Sequence, residues 1–224
     1  MTLSTIISIV VGVGLGVYTA QRQYQLPDRV WSGIASVFMV IPTVVLAILV
    51  VFFAIEINMA TGYRIFYVTG LSSYDGENVL LALVDFLQHI FLPTVVLTII
   101  SAVGYHLTQR TYLLDEMHAD YVRTARAKGL TRKQAIRRHA LRASLIPTAV
   151  SVAFSIAGIF TGAVMTEKIF AIHGLGEYFV NCINGNNVHG AVAVAAFSGA
   201  CTLVGALLAD LFAAAIDPRI KMMG

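Results

Sequence analysis

The chain has 224 residues, of which 58% are hydrophobic and 12% charged, and its formal net charge is +3. Soluble globular domains carry about 25% charged residues, so this composition excludes an ordinary soluble domain. It also gives no nucleic-acid signal, because the position of the basic residues explains the charge better. Cys182 and Cys201 have no metal-ligand spacing. One lies in an apolar run and the other in a loop, so neither a disulfide nor a metal centre is expected.

A helix that crosses a bilayer needs about 20 apolar residues, at about 1.5 Å rise each across a core about 30 Å thick. Five segments qualify: Leu3–Ala20, Val30–Ile57, Ile90–Leu107, Pro147–Val164 and Val188–Ile216. The prediction is an all-α integral membrane protein, a single transmembrane domain over residues 1–224. The loops Gln21–Arg29 and Thr108–Ile146 and the tail after Asp217 hold thirteen Lys and Arg residues, and the opposite side holds only Arg64 and Lys168. The positive-inside rule therefore places those loops and the C-terminus in the cytoplasm and Met1 outside.

The first span has glycines at 12, 14 and 16. Small residues let membrane helices approach closely, so this face is expected to pack against a neighbour. The run is not a dinucleotide fingerprint, because no strand precedes it and the third glycine comes too early. Pro27 and Asp28 read as helix-start residues after a short turn. Pro42, inside the second span, predicts a kink that frees a carbonyl and lets the helix line a pathway. A kink satisfied by packing is the plainer alternative.

Asn58–Asn78 reads as an outer loop, with Tyr63, Phe66, Tyr67 and Tyr74 suited to the membrane interface or to an external partner. Val79–His89 is apolar on one face, with Asp85 and Gln88 on the other, and predicts a short helix along the interface. His106, His118 and His139 match no ligand spacing, so ordinary polar roles are expected.

Ala119–Pro147 is the longest strongly polar run and holds eight of the fifteen Lys and Arg residues. Gly129 predicts a helix stop, since glycine accepts the left-handed conformation. Thr131 with Gln134 three residues on is a capping-box pattern. Pro147 is expected in the first turn of the next span. The result is helix, tight turn, helix, span. Leu114, Met117, Tyr121 and Ala125 recur at helical spacing on the first of these helices. Such an elbow suits docking of another protein, or a basic hairpin lying on anionic membrane lipid.

The fourth span is rich in small residues, among them Ser151, Ser155, Gly158 and Gly162. Glu167 and Lys168 mark its end. Asp210 lies about two turns before the end of the last span, where interfacial solvation competes with a functional role. Asp217-Pro218 is expected to end that helix. No P-loop, zincin or nucleophile-elbow motif occurs in the sequence, so an enzyme is the weaker class.

The run D-Y-V-R-T-A-R-A-K-G-L, Asp120–Leu130, resembles the EAA loop in the membrane subunits of ABC importers, most nearly the permeases for peptides and nickel. Ala125 and Gly129 stand at the motif's second alanine and its glycine. Arg123 stands at the glutamate position, Thr124 at the first alanine, and Arg142 at the proline that often follows leucine. Ile41, Pro42 and Thr43 match an I-P-T-like step, and F-A-I-H-G-L-G-E a short outer segment ending in G-L-G. The resemblance runs through D-P-R-I at Asp217–Ile220.

The resemblance implies a type I ABC importer permease in a bacterial or archaeal cytoplasmic membrane. Residues 110–146 would form a cytoplasmic coupling loop, with Asp120, Tyr121, Arg123, Thr124, Ala125, Arg126, Ala127, Lys128, Gly129 and Leu130 docking on an ATPase. Pro42, Thr43, Ser151 and Ser155 are the candidates for the translocation path. The implied partners are a second related permease, two cytoplasmic ATPases and an extracytoplasmic solute-binding protein. ATP and Mg²⁺ would sit on the ATPases, with no cofactor or catalytic residue in this chain. A di- or oligopeptide is the expected cargo, with nickel or another small solute as the alternative. An ion-coupled secondary transporter is the rival class, but only Glu56 and Asp210 approach the intramembrane charges it needs. The resembled family has six spans, so a further helix, supplied upstream or by another chain, is expected beside Gly12 and Gly16.

Overall fold

A computed structural model of the chain describes residues 1–216. The D-P-R-I run, the helix stop at Asp217-Pro218 and the basic tail lie outside the described residues. Every regular element among the described residues is helical, and five helical stretches are long and apolar enough to cross a membrane.

Helix α1 (Thr2–Gln21) is the first of these. A turn with Tyr24 at φ +67° follows, and then α2 (Leu26–Val40), with Pro27 and Asp28 in its first turn. The predicted kinked span is instead two helices, α2 and α3 (Thr43–Thr61). Ile41 (φ −75°, ψ 120°) and Pro42 (φ −60°, ψ 139°) are extended between them. Proline lacks the N–H that would continue the ladder, and it disfavours helical backbone at the residue before it. Both effects fall on this dipeptide, so the helix stops. Pro42 then opens α3, its carbonyl accepting the Leu46 N–H at 3.1 Å.

Helix α4 (Val79–Met117) has 39 residues, about 58 Å at about 1.5 Å per residue. It absorbs Val79–His89, expected as a separate interfacial helix. The Asn78 side chain caps it, accepting from Leu80 N–H at 3.0 Å. Helices α5 (Asp120–Ala127) and α6 (Arg132–Ala135) follow, then a π turn, Ile136–Ala140, and α7 (Leu141–Thr161). Pro147 therefore lies inside a helix rather than opening one. The π turn carries the backbone unbroken from α6 into α7, so the helix is established before the proline. Membrane helices tolerate this where neighbouring groups re-satisfy the freed carbonyl. Short helices α8 (Val164–Ile169) and α9 (Leu175–Asn184) lead to α10 (Val188–Ile216).

The glycine face of α1 packs on α4. A Cβ at Gly12 would fall 2.6 Å from the Ala102 carbonyl oxygen, and one at Gly16 2.8 Å from that of His106. The close neighbour that this face requires is thus a helix of the same chain. Gly14 takes no part, having nothing within 4 Å of its would-be Cβ. On the far side of α7, Gly205 of α10 meets Ala157, 2.6 Å from a would-be Cβ.

Candidate functional site

The polar elbow is built from local signals. Helix α5 ends in paired reverse hydrogen bonds, Gly129 N–H to the Arg126 carbonyl at 3.0 Å and Leu130 N–H to the Ala125 carbonyl at 3.3 Å. This is a Schellman motif, and it needs Gly129 at φ +94°. Thr131 then caps α6. Gln134 N–H donates to Thr131 Oγ1 at 3.3 Å, and Thr131 N–H donates to Gln134 Oε1 at 3.0 Å. The sharp turn between α5 and α6 is therefore fixed by four hydrogen bonds.

The elbow is anchored from below. Val122, Ala125, Ala135, Ile136 and Ala140 are buried with Ala20 and Leu113, and Leu130 packs against that cluster. Leu114 and Met117 belong to the end of α4, not to the first loop helix. The extended Ala119 (φ −64°, ψ 148°) rotates α5 away from the α4 phase. Leu114, Met117 and Ala125 still pack on one cluster, and of the expected stripe only Tyr121 leaves it. Val122 and Ala125 face inward, whereas Tyr121 is 43% exposed. Tyr121 O–H donates to Glu116 Oε2, and burial together with that bond pushes its pKa up. Asp120, Arg123, Thr124, Arg126, Ala127, Lys128 and Gly129 are exposed. Of the candidate docking residues, then, Ala125 is buried and Leu130 half-buried, and the others form the outer face.

A second site lies between α4 and α7. A cleft of about 280 Å³ is lined by Ser101, Gly104, Tyr105 and Thr108 of α4 and Thr148, Ser151 and Ser155 of α7. Tyr105 and Ser155 hydrogen-bond across it at 2.6 Å. Pro42 and Thr43 lie elsewhere, at the break between α2 and α3, so the structure brings together only two of the four path candidates.

Buried polar side chains tie the helices around this cleft. Thr19 of α1 meets His106 Nε2 at 3.0 Å. Gln109 Nε2 donates to Ser144 Oγ at 3.0 Å, and its Oε1 accepts from Thr148. Interhelical bonds of this kind contribute about 0.6 kcal/mol each, up to about 1.7. Nearer the elbow, Asp28 at the start of α2 pairs with Arg110 of α4 and also accepts the Tyr24 N–H at 2.8 Å. The guanidinium holds the Asp28 carboxyl below the usual carboxylate range.

At the other end of the bundle, Glu167 is a buried bracket. Its carboxylate accepts Ala163 N–H at 3.1 Å and Glu177 N–H at 2.9 Å, joining α8 to the N-terminus of α9. A Cβ at Gly174 would fall 2.4 Å from that carboxyl. Gly174 is required there, and Gly176, the second glycine of the G-L-G run, is required against Val164, 2.7 Å from its would-be Cβ. The aromatics of the loop between α3 and α4 divide. Phe66 stacks on Phe91 at 6.1 Å and Tyr67 lies on His89 at 4.5 Å, while Tyr63 is 77% exposed.

Sequence reasoning missed Tyr105, Thr108 and the Asp28–Arg110 pair. Tyr105 sits in the third apolar run and Thr108 at its boundary, where small and hydroxyl residues recur at Ser101, Gly104 and Thr108, three to four apart. That periodicity was the available signal. For the ion pair there was none, since its members are 82 positions apart.

The family described as "Binding-protein-dependent transport system inner membrane component" matches residues 12–222. The chain is 41% identical over 223 residues to the oligopeptide transport system permease protein OppB of Mycobacterium tuberculosis (strain ATCC 25618 / H37Rv), covering 99% of this chain and 69% of that protein. It is 28% identical over 221 residues to the oligopeptide transport system permease protein AppB of Bacillus subtilis (strain 168), covering 99% and 67%. It is 26% identical over 221 residues to the dipeptide transport system permease protein DppB of Lactococcus lactis subsp. cremoris (strain MG1363), covering 99% and 67%.

Proposed function

This chain belongs to the family of binding-protein-dependent transport system inner membrane components, and we propose that it passes di- and oligopeptides inward as one permease subunit of an ABC importer. The observation behind the cargo is the likeness, along 99% of the chain, to permeases named for oligopeptides and dipeptides. The outer face of α5 and its turn, Asp120–Leu130, is the docking surface for a cytoplasmic ATPase. Three features support this. The turn is rigidly capped, its inner face is anchored on Leu113, and its charged face is left exposed. A partner that moves α5 therefore also moves α4 and α7.

The working assembly has a second related permease, two ATPases that hold ATP and Mg²⁺, and an extracytoplasmic binding protein. The loop and the C-terminus face the cytoplasm. Chemistry stays on the ATPases, and this chain supplies the wall of the path and the lever. Nucleotide-driven closure of the ATPases biases a two-state membrane domain.

The test is uptake of labelled di- and oligopeptides into proteoliposomes holding the purified complex. Uptake that needs both ATP and the binding protein is expected. Uptake of nickel but no peptide, or uptake driven by an ion gradient without an ATPase, would overturn the reading.

A further inference from the structure

The cleft between α4 and α7 has a hydrogen-bonding polarity that follows from where its hydroxyl protons go. On α7, Ser151 donates to the Pro147 carbonyl at 3.1 Å and Ser155 to the Ser151 carbonyl at 3.0 Å. Thr148 donates to Gln109 Oε1. Tyr105 Oη and Ser155 Oγ lie 2.6 Å apart, a contact in which either hydroxyl can donate; when the Ser155 proton is on the Ser151 carbonyl, Tyr105 is the donor. In that arrangement the α7 wall is left with oxygen lone pairs, that is, with acceptors.

The α4 wall differs. Thr111, on the same helix, returns its proton to the Leu107 carbonyl at 3.0 Å, and Thr202 on α10 does likewise to Ser198 at 2.9 Å. These hydroxyls can face lipid, because they satisfy themselves. Ser101 and Thr108 are exposed at the cleft and make no such bond among the described residues. Ser101 lies close to the middle of α4, and Ser151 is the middle residue of α7. Hydrocarbon cannot satisfy a free hydroxyl at that depth. At Ser101, the free hydroxyl at that depth, the face therefore needs a polar partner.

We propose that this cleft is a peptide-backbone subsite of the translocation path, with α7 accepting from backbone N–H groups and Ser101 and Thr108 donating to backbone carbonyls. The inference rests on the peptide reading above and deepens it. Each peptide unit presents one donor and one acceptor whatever its side chain. No charged residue lines the cleft. The site therefore recognises what all peptides share and is indifferent to the charge of their side chains. Its volume, about 280 Å³, is near the lower end for small-ligand sites, roughly 300 Å³. That suits one or two residues of a passing peptide.

The experiment uses the full importer complex in proteoliposomes with three tripeptides of equal length, whose middle residue is alanine, lysine or glutamate. A fourth is the alanine peptide N-methylated at its second amide. The variants are Thr108→Val, which keeps shape and removes a hydroxyl, and Ser155→Ala. Each variant is expected to lower uptake of all three unmodified peptides by a similar factor, about fivefold for a lost hydrogen bond. The N-methylated peptide should be taken up poorly by the wild type and respond least to Ser155→Ala. Unchanged uptake by both variants, or losses that follow side-chain charge, would overturn the subsite.

Should either variant fail to assemble, Thr108→Cys provides a second readout. An impermeant thiol reagent should label it in the complex, and excess tripeptide should protect it. A Thr108→Cys that is never labelled, or that cross-links to the second permease, means that a protein helix fills the cleft, and this too overturns the subsite. A wild-type complex that takes up no peptide at all removes the cargo reading itself. Wild-type uptake with unaffected variants removes only the subsite.

Discussion

Arg110 grips Asp28 with two parallel hydrogen bonds, Nε to Oδ1 at 2.6 Å and an η nitrogen to Oδ2 at 2.9 Å, joining helices 82 residues apart in the chain. The Asp28 side chain is 3% exposed and that of Arg110 22%. The carboxylate also fixes the turn before α2 through the Tyr24 N–H. Arg110 is two turns from the end of α4, just ahead of the elbow. The pair therefore fastens α2 to the helix that leads into α5.

Removing one partner of such a pair strands the other. Asp28→Asn is expected to destabilise the chain by about 2 kcal/mol, below the figure for a fully buried pair because Arg110 reaches solvent. Arg110→Lys keeps the charge but not the fork, and should fall between wild type and Asp28→Asn. Thermal unfolding of the purified complex in detergent checks the order. The sign of the pH effect follows from the lowered Asp28 pKa. Its stabilising share is complete above the unfolded value, about 3.9, and is lost as pH falls through the lower folded value. Acidification should therefore destabilise wild type more than Asp28→Asn.

The turn at Gly129 separates strain from steric block. Its φ is +94° and a Cβ there would meet nothing within 4 Å, so a side chain costs backbone strain alone within this chain. Gly129→Val should lose about 1–2 kcal/mol in the turn and release the ATPase on pull-down, whereas Gly129→Asn should retain much of the association. Wild-type association in Gly129→Val would remove this turn from the docking surface.

The three glycines of α1 should behave differently. Gly12→Ala and Gly16→Ala force α1 away from α4 and are expected to cost about 1–3 kcal/mol. Gly14→Ala should be within about 0.5 kcal/mol of wild type. Comparison of unfolding temperatures decides it. Equal effects at all three positions would contradict the packing.

Orientation is checked by labelling. Ser73 is tied to Asp85 and His89, so the adjacent exposed Asp75 is the better outer probe. Asp75→Cys should react with an impermeant thiol reagent in intact cells, and Arg132→Cys only after permeabilisation. The reverse pattern would put the elbow on the wrong side for a cytoplasmic ATPase.

The amino-acid sequence by itself determined whatever depends on composition or on neighbours three or four residues apart. The five apolar stretches follow from hydrophobicity, the elbow from Gly129 and the Thr131–Gln134 box, and the basic bias from simple position. These are local interactions, complete within one or two turns of backbone. Only the tertiary structure decided what needs a partner far along the chain. It gave the glycine face of α1 to α4, and it turned Val122 rather than Tyr121 inward. It also joined Asp28 to Arg110 and set Tyr105 against Ser155. Proline showed the boundary most clearly. The local rule foresees a disturbed helix at Pro42 and at Pro147 alike. One ends a helix and the other lies within one although a formed helix precedes each, so the outcome at each proline is set by packing around it and not by the local rule.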